Sequence, residues 1–159
     1  ARFAYAVPNG NRMSWVLYLL AALGGSFLSL QAGINGQLRE LLGTPFRASF
    51  VSFLVGTIPL FFLALSTRAP LPTLRQLSSA PWWVWTGGLL GIFFVTFSIL
   101  LPPRLGVAVY FALVVAGQLL MALVLDHFGW LGFERHPINP MRLLGAALLI
   151  AGVVIIRKF

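Results

Sequence analysis

Five long apolar runs constrain this chain more than any other feature of its sequence. They extend over residues 13–38, 46–65, 82–101, 105–125 and 141–156. Each is close to the ~20 residues needed to cross a ~30 Å hydrocarbon core. Backbone amides cannot be left unpaired in lipid, so such runs must form helices or the strands of a closed barrel. Barrel strands alternate polar and apolar residues, whereas these runs are uniformly apolar. The predicted fold is therefore an all-α membrane protein with five transmembrane helices per chain.

Composition agrees with this fold class and excludes several functions. Hydrophobic residues make up 59% of the 159 residues, charged residues 9%, and the mean hydropathy is +0.93. A soluble domain of this size cannot hide so much apolar surface. The chain has no cysteine, three acidic residues and two histidines. These are too few and too scattered for a catalytic dyad or a metal cluster, so we expect no enzymatic activity, no metal and no cofactor.

The net charge of +8 has a membrane explanation. The basic residues stand singly at the edges of the apolar runs, where long cationic side chains reach the lipid head groups. We therefore expect membrane lipid, and no nucleic acid, among the partners.

Local chemistry marks the domain limits and the helix starts. Residues 1–12 differ in character from the rest, and we interpret them as an added or upstream extension. Residues 13–159 then form a single five-helix transmembrane domain. Thr44-Pro45, Ala80-Pro81 and Asn139-Pro140 each place proline at a helix start, where its missing N–H does no harm. Thr44 and Asn139 are predicted N-caps.

Basic residues are almost evenly divided between the two sides of the membrane. With five spans, one side receives Arg68, Arg75, Arg135 and Arg142. The other side receives Arg39, Arg47, Arg104, Arg157 and Lys158. Arg2 and Arg12 join the first group if the extension is native. Because a positive-inside excess normally sets orientation, this near balance predicts insertion in both orientations and an antiparallel homodimer. The alternative is that one arginine dominates and a single orientation results.

Several motifs resemble one known family. The segments are Gln31-Ala-Gly-Ile-Asn-Gly-Gln-Leu-Arg39, Leu42-Gly-Thr-Pro-Phe46, Ser52-Phe-Leu-Val-Gly-Thr57, Pro81-Trp-Trp-Val-Trp-Thr-Gly-Gly88, Pro103-Arg-Leu-Gly106, Gly117-Gln118 and Asp126-His-Phe-Gly129. Together they are similar to the short YdcZ-type branch of the drug/metabolite transporter superfamily, which is related to small multidrug resistance and EamA-like transporters. The resemblance covers residues 13–159. It implies a five-helix half-transporter of the bacterial inner membrane that works as an antiparallel pair by alternating access.

The first apolar run carries the most prominent polar stripe. Gln31, Asn35 and Arg39 are spaced by four residues and therefore share one face of a helix. The amides of Gln31 and Asn35 both donate and accept hydrogen bonds, as a polar solute in a membrane requires. We predict that they bind substrate, although amides of this kind also join transmembrane helices. Gly33 and Gly36 permit either close helix contact or a local break.

Charged residues follow this stripe. Arg39 and Glu40 are a candidate interfacial gate pair across the dimer, and the alternative is that they are ordinary anchors. Arg47 is a candidate partner for Glu40.

Further candidates lie on later helices. Tyr110 and Gln118 are expected to face the substrate chamber, and Trp85 to form part of an aromatic wall. Thr96 and Ser98 are expected to bond to carbonyls of their own helix. Gly145 and Gly152 are seven residues apart, which keeps small residues on one seam, so the last helix is the predicted dimer contact. Packing within one chain is the competing explanation.

No carboxylate lies at membrane depth, unlike in the small multidrug resistance pattern. This absence argues against a cationic drug and against carboxylate-based proton antiport. The predicted function is a small secondary transporter that exports a polar or amphipathic small metabolite. Two rival classes are a dual-topology ion channel and a non-transporting membrane assembly subunit.

Overall fold

The protein is all-helical over the residues that the structure describes. The structure is a computed structural model, and it describes residues 11–67 and 69–159, with side chains from residue 15 onward. Its helices are α1 (Asn11–Leu42), α2 (Pro45–Ser66), α3 (Leu74–Ser78), α4 (Gly87–Leu100), α5 (Pro102–Leu105), α6 (Val107–Phe128) and α7 (Pro140–Lys158). Short 3₁₀ turns cover Trp82–Trp85 and Trp130–Gly132. The predicted extension at residues 1–12 lies outside the described residues apart from the backbone at 11 and 12, as does Arg68 of the charge count.

Five helical segments are long and apolar enough to cross a membrane, as the sequence predicts. They are Trp15–Leu42, Pro45–Ser66, Trp82–Leu105, Val107–Phe128 and Pro140–Lys158. At most 22% of the residues in the most apolar stretch of any of them are buried. Most of their apolar surface is thus left for contact with lipid or with another chain.

The connection between α1 and α2 consists of two residues whose chemistry ends one helix and begins the next. Gly43 has φ = 81°, a left-handed conformation that glycine adopts at little cost, and its N–H donates to the carbonyl of Arg39 at 2.8 Å. Thr44 then accepts a hydrogen bond from the N–H of Arg47 at 3.3 Å and caps α2. Asn139 caps α7 through the N–H of Arg142 at 2.9 Å. Both predicted N-caps are confirmed.

Two helices differ in detail from the predicted runs. α1 continues past Leu38 to Leu42 and is unbroken at Gly33 and Gly36. Glycine keeps the backbone N–H and C=O that the i to i−4 hydrogen bonds require, so both glycines can lie within a continuous helix. The third span begins as a 3₁₀ turn and becomes α-helical at Gly87. The change from 3₁₀ to α-helical geometry falls at the Gly87-Gly88 pair, and glycine has a low helix propensity.

Internal contacts divide the chain into two compact units. One combines the described part of the chain up to Ser29 with Pro102–Phe159, and the other is Leu30–Leu101. We call them the C-terminal unit and the central unit. The boundary at Ser29 falls within the continuous helix α1.

The central unit is held together by α2 packing against α4. Its core consists of Ala48, Val95 and Ile99, with Leu38 and Phe94 packed at the edge. Ala48 and Ile99 are 0% and 1% exposed. Beside this core, the hydroxyls of Ser49 and Thr96 form a buried hydrogen bond of 3.1 Å between the two helices.

In the C-terminal unit, α6 packs against α7. Ala146 and Val153 are buried and lie seven residues apart, which marks one face of α7 as internal. Leu123 is buried on α6.

Hydrogen bonds close the loop between α6 and α7. The carboxylate of Asp126 accepts from Nη2 of Arg142 at 2.5 Å, and Nη1 of the same arginine donates to the carbonyl of His136 at 2.8 Å. The N–H of His136 donates to the carbonyl of Asp126 at 2.8 Å, and the N–H of Ile138 donates to Nδ1 of His127 at 3.1 Å. The loop is therefore fixed to the ends of both helices it joins.

The Asp126–Arg142 pair also resolves two unfavourable charge placements. Asp126 lies in the last turn of α6 and Arg142 in the first turn of α7. A negative charge at a helix C-terminus and a positive charge at an N-terminus both oppose the helix dipole. Pairing the two charges removes the penalty at both ends.

We expect Ile99→Ala to destabilise the protein more than Phe93→Ala, although phenylalanine loses more atoms. Ile99 is 1% exposed and Phe93, on the same helix, is 60% exposed. Loss of the buried side chain leaves a cavity costing about 2 kcal/mol or more. Truncation of the outward-facing ring should cost less than about 1 kcal/mol. Unfolding of the purified protein in mixed detergent and dodecyl sulfate micelles measures both, and equal losses would contradict this packing.

We expect Asp126→Asn to loosen the loop between α6 and α7. Asparagine keeps the size and an acceptor but removes the charge that balances Arg142. Amide hydrogen exchange of residues 135–138 should accelerate about fivefold, equivalent to ~1 kcal/mol. The matched control is Glu134→Gln in the same loop. Glu134 is 88% exposed in its side chain and 3.9 Å from His136, so its neutralisation should leave exchange unchanged.

Candidate functional site

A cleft of about 150 Å³ lies within the central unit, between α1, α2 and α4. Its walls are formed by Gln31, Ser52, Phe53, Gly56, Thr57, Leu60 and Val95. Of the predicted substrate-binding residues, Gln31 lines this cleft.

The cleft lies far from the short connection that joins α1 to α2. At ~1.5 Å per residue, Gln31 is about 16 Å from the end of α1 at Leu42. Thr57 is about 18 Å from the start of α2 at Pro45. These distances correspond to the middle of a ~30 Å hydrocarbon core.

Three polar side chains in the cleft differ in what they offer a ligand. The Thr57 hydroxyl donates its proton to the carbonyl of Phe53 at 2.7 Å, so only its lone pairs remain free to accept. In the described chain, the Ser52 hydroxyl and the Gln31 amide form no hydrogen bond with another residue, which leaves each able to donate and to accept. The cleft therefore combines one acceptor with two groups of dual character.

The remaining wall is apolar, and its shape depends on a glycine. Phe53, Leu60 and Val95 supply hydrocarbon surface. The Phe53 ring lies so close to α4 that a Cβ added at Gly91 would be 3.3 Å from its Cζ. Glycine at 91 thus lets the ring lie against α4 and keeps its other side as the cleft wall.

Asn35 lies one turn beyond Gln31 on the same face of α1. It is 3% exposed, and its Nδ2 is buried without a hydrogen-bond partner among the described residues. An unpaired buried amide costs about 1–3 kcal/mol, so its presence requires an explanation beyond packing.

The cleft includes residues on α2 that sequence reasoning did not assign to the site. Ser52 and Thr57 were part of the family motif, but no role was inferred for them. Ser49, Ser52 and Gly56 are spaced by three and four, a small-residue stripe that could have indicated a helix contact. Ser98 bonds to the carbonyl of Val95 at 2.8 Å, as expected. The expectation for Thr96 was wrong, because its hydroxyl bonds to the hydroxyl of Ser49 on α2 and not to a carbonyl of its own helix.

The gate hypothesis for Arg39 and Glu40 stays a prediction. Arg39 is half-buried and Glu40 is exposed near the end of α1. Among the described residues, the acid–base side-chain contacts are Asp126–Arg142 and Glu134–His136, and neither includes Arg39 or Glu40. Arg47 donates from Nη1 to the carbonyl of Leu42 at 3.3 Å, and so supports the end of α1 instead of pairing with Glu40.

The other predicted residues do not line the cleft. Trp85 is exposed in the 3₁₀ turn that precedes α4. In the C-terminal unit, Tyr110 is buried and Gln118 is exposed on α6. Gly145 is exposed and Gly152 half-buried on α7. A Cβ at either glycine would meet nothing within 4 Å, so packing in the described chain does not require glycine there.

Ionisable side chains are absent from the lining of the cleft. Groups of three or more metal-ligating side chains are also absent from the part of the chain that the structure describes. The cleft can therefore bind through hydrogen bonds and apolar contact, and it offers no counter-charge.

Comparison with known proteins assigns the family. A family model described as "Putative inner membrane exporter, YdcZ" matches residues 16–155. The Inner membrane protein YdcZ of Escherichia coli (strain K12) is 32% identical over 154 residues, covering 93% of this chain and 97% of the relative. No solved structure matches the chain. These matches, together with the five spans, show that the chain belongs to the YdcZ family and is a multi-pass protein of the bacterial inner membrane.

Proposed function

We propose that this chain is one half of a secondary transporter that exports a small polar or amphipathic metabolite. Two chains in opposite orientations form the working unit, and alternating access exposes the substrate to one side of the membrane and then to the other. The family assignment supports export, and the cleft at mid-membrane depth supports the kind of substrate.

The observation that carries the proposal is the polar lining of that cleft. Gln31, Ser52 and Thr57 lie at a depth where polar groups are expensive and generally serve a function. Phe53 and Leu60 offer apolar surface beside them. A solute with a polar and an apolar part would satisfy both walls.

Two observations support the antiparallel pair. Basic residues are nearly balanced between the two sides, which removes the usual bias in orientation. The exposed Gly145 on α7 can allow close approach of a second helix. An inverted pair related by a two-fold axis in the membrane plane is a common design in secondary transporters.

We expect Gln31→Ala to lower saturable export at least about tenfold, whereas Gln37→Ala should leave it unchanged. Both residues are glutamines exposed on α1, but Gln31 lines the cleft and Gln37 does not. Loss of a hydrogen bond to substrate in a desolvated site costs about 1–3 kcal/mol. The measurement is release of metabolites from proteoliposomes loaded with a bacterial small-molecule extract, resolved by mass spectrometry.

Three outcomes of this assay would contradict the proposal. An equal loss of export in Gln31→Ala and Gln37→Ala would indicate that α1 is sensitive to any substitution and that the cleft has no special role. Ohmic current at high throughput would favour the ion channel, because conduction by a pore does not saturate like a carrier. Absence of protein-dependent release would favour the assembly subunit.

We expect Gly145→Leu to abolish the dimer while leaving the monomer folded. A side chain at this position meets nothing within 4 Å in its own chain, but it would separate two facing helices. Gly117→Leu on α6 is the control, because its Cβ is equally free. Cross-linking of chains tagged at both ends, with reagents added to one side of the membrane, measures association and orientation together. A dimer that survives Gly145→Leu, or C-termini found on one side only, would contradict the antiparallel contact on α7.

A further inference from the structure

We propose that the cleft between α1, α2 and α4 selects uncharged solutes that carry both a hydrogen-bond donor and a carbonyl acceptor, as small primary amides do. This inference rests on the proposed function, since it names the substrate class of the same site. It follows from four properties of the described residues.

The requirement for a donor comes from Thr57. Its proton is held by the carbonyl of Phe53 at 2.7 Å, so the hydroxyl oxygen presents only lone pairs to the cleft. A solute group that can only accept, such as an ester oxygen, would give the lone pairs of Thr57 no donor. An N–H or O–H group on the solute satisfies it.

The requirement for an acceptor comes from α1 and from Ser52. The amide of Gln31 and the hydroxyl of Ser52 line the cleft, and each can donate a hydrogen bond. Within the described chain, neither the Gln31 amide nor the Ser52 hydroxyl is engaged in a hydrogen bond. A carbonyl oxygen on the solute can accept from these donors and removes the cost of leaving them unpaired.

The requirement for neutrality comes from the lining. None of the seven lining residues is ionisable. A carboxylate or an ammonium group would lose its hydration at mid-membrane depth and meet no counter-charge, which is far more costly than burial of a neutral amide. Solutes of either charge are thereby excluded.

The size limit comes from the volume. An apolar cavity of ~150 Å³ holds a molecule as large as benzene, and this cleft has about the same volume. A solute of about six non-hydrogen atoms therefore fits beside Phe53 and Leu60.

A set of four matched probes tests the inference on the purified full chain. Butyramide carries a donor and an acceptor, methyl propionate only acceptors, butyrate a negative charge and butylammonium a positive charge. Saturation-transfer NMR in deuterated detergent measures millimolar binding of each. We expect butyramide to bind at least about tenfold more tightly than the other three, because only it satisfies both requirements without charge.

Variants at Thr57 and Ser52 identify the groups responsible. Thr57→Val keeps the shape but removes the oxygen, so butyramide should bind at least about fivefold more weakly while methyl propionate is unaffected. Thr57→Ser restores the oxygen and should restore butyramide binding. Ser52→Ala should weaken butyramide and methyl propionate alike, since both present a carbonyl to the Ser52 hydroxyl. The unchanged ester signal in Thr57→Val shows that the variant is folded.

Equal binding of amide and ester to the unmodified protein would overturn the inference, as would tighter binding of either ion. A Thr57→Val variant that weakens both neutral probes equally would also overturn it. These outcomes differ from failure of transport. Saturable, Gln31-dependent release of a charged metabolite would support transport and refute the substrate class, whereas selective butyramide binding without metabolite release would support the substrate class and refute transport.

Discussion

The contact between α2 and α4 is the interaction on which the central unit depends. In lipid, a helix satisfies its own backbone, and helices associate through close packing and occasional side-chain hydrogen bonds. Ala48 and Ile99 supply the packing, and the Ser49–Thr96 bond supplies the polar link. Above this contact the helices leave the cleft open, because Gly56 has no side chain to fill it and Gly91 lets the Phe53 ring lie against α4.

The polar side chains that line the cleft can form hydrogen bonds but carry no charge. The small multidrug resistance pattern has a carboxylate at membrane depth, whereas the cleft of the described central unit is lined by an amide and hydroxyls. In the proposed site, selection would depend on which donors and acceptors are already engaged. Thr57 illustrates this point, since one intrahelical bond turns a group of dual character into a pure acceptor.

Charge is used elsewhere, at the ends of helices. Asp126 and Arg142 each oppose the dipole of their own helix, and their pairing fixes the loop between α6 and α7. The proposed topology assigns Arg142 to one side of the membrane by its position in the chain. A residue counted for topology from sequence alone thus also has a structural role that the sequence did not reveal.

The sequence by itself determined the fold class, the five spans, both N-caps and the family, because apolar runs, proline positions and capping residues act through local physics and membrane thickness. It also placed Gln31 and Asn35 on one face of α1, since their spacing on one helix is a local property, and Gln31 lines the cleft. Only the tertiary structure showed that Ser52 and Thr57 complete the cleft, that Thr96 bonds to Ser49, and that Tyr110 is buried whereas Gln118 is exposed. These features depend on which faces of separate helices meet. Uniformly apolar helices do not encode that choice in their periodicity, because lipid and protein interior are equally apolar.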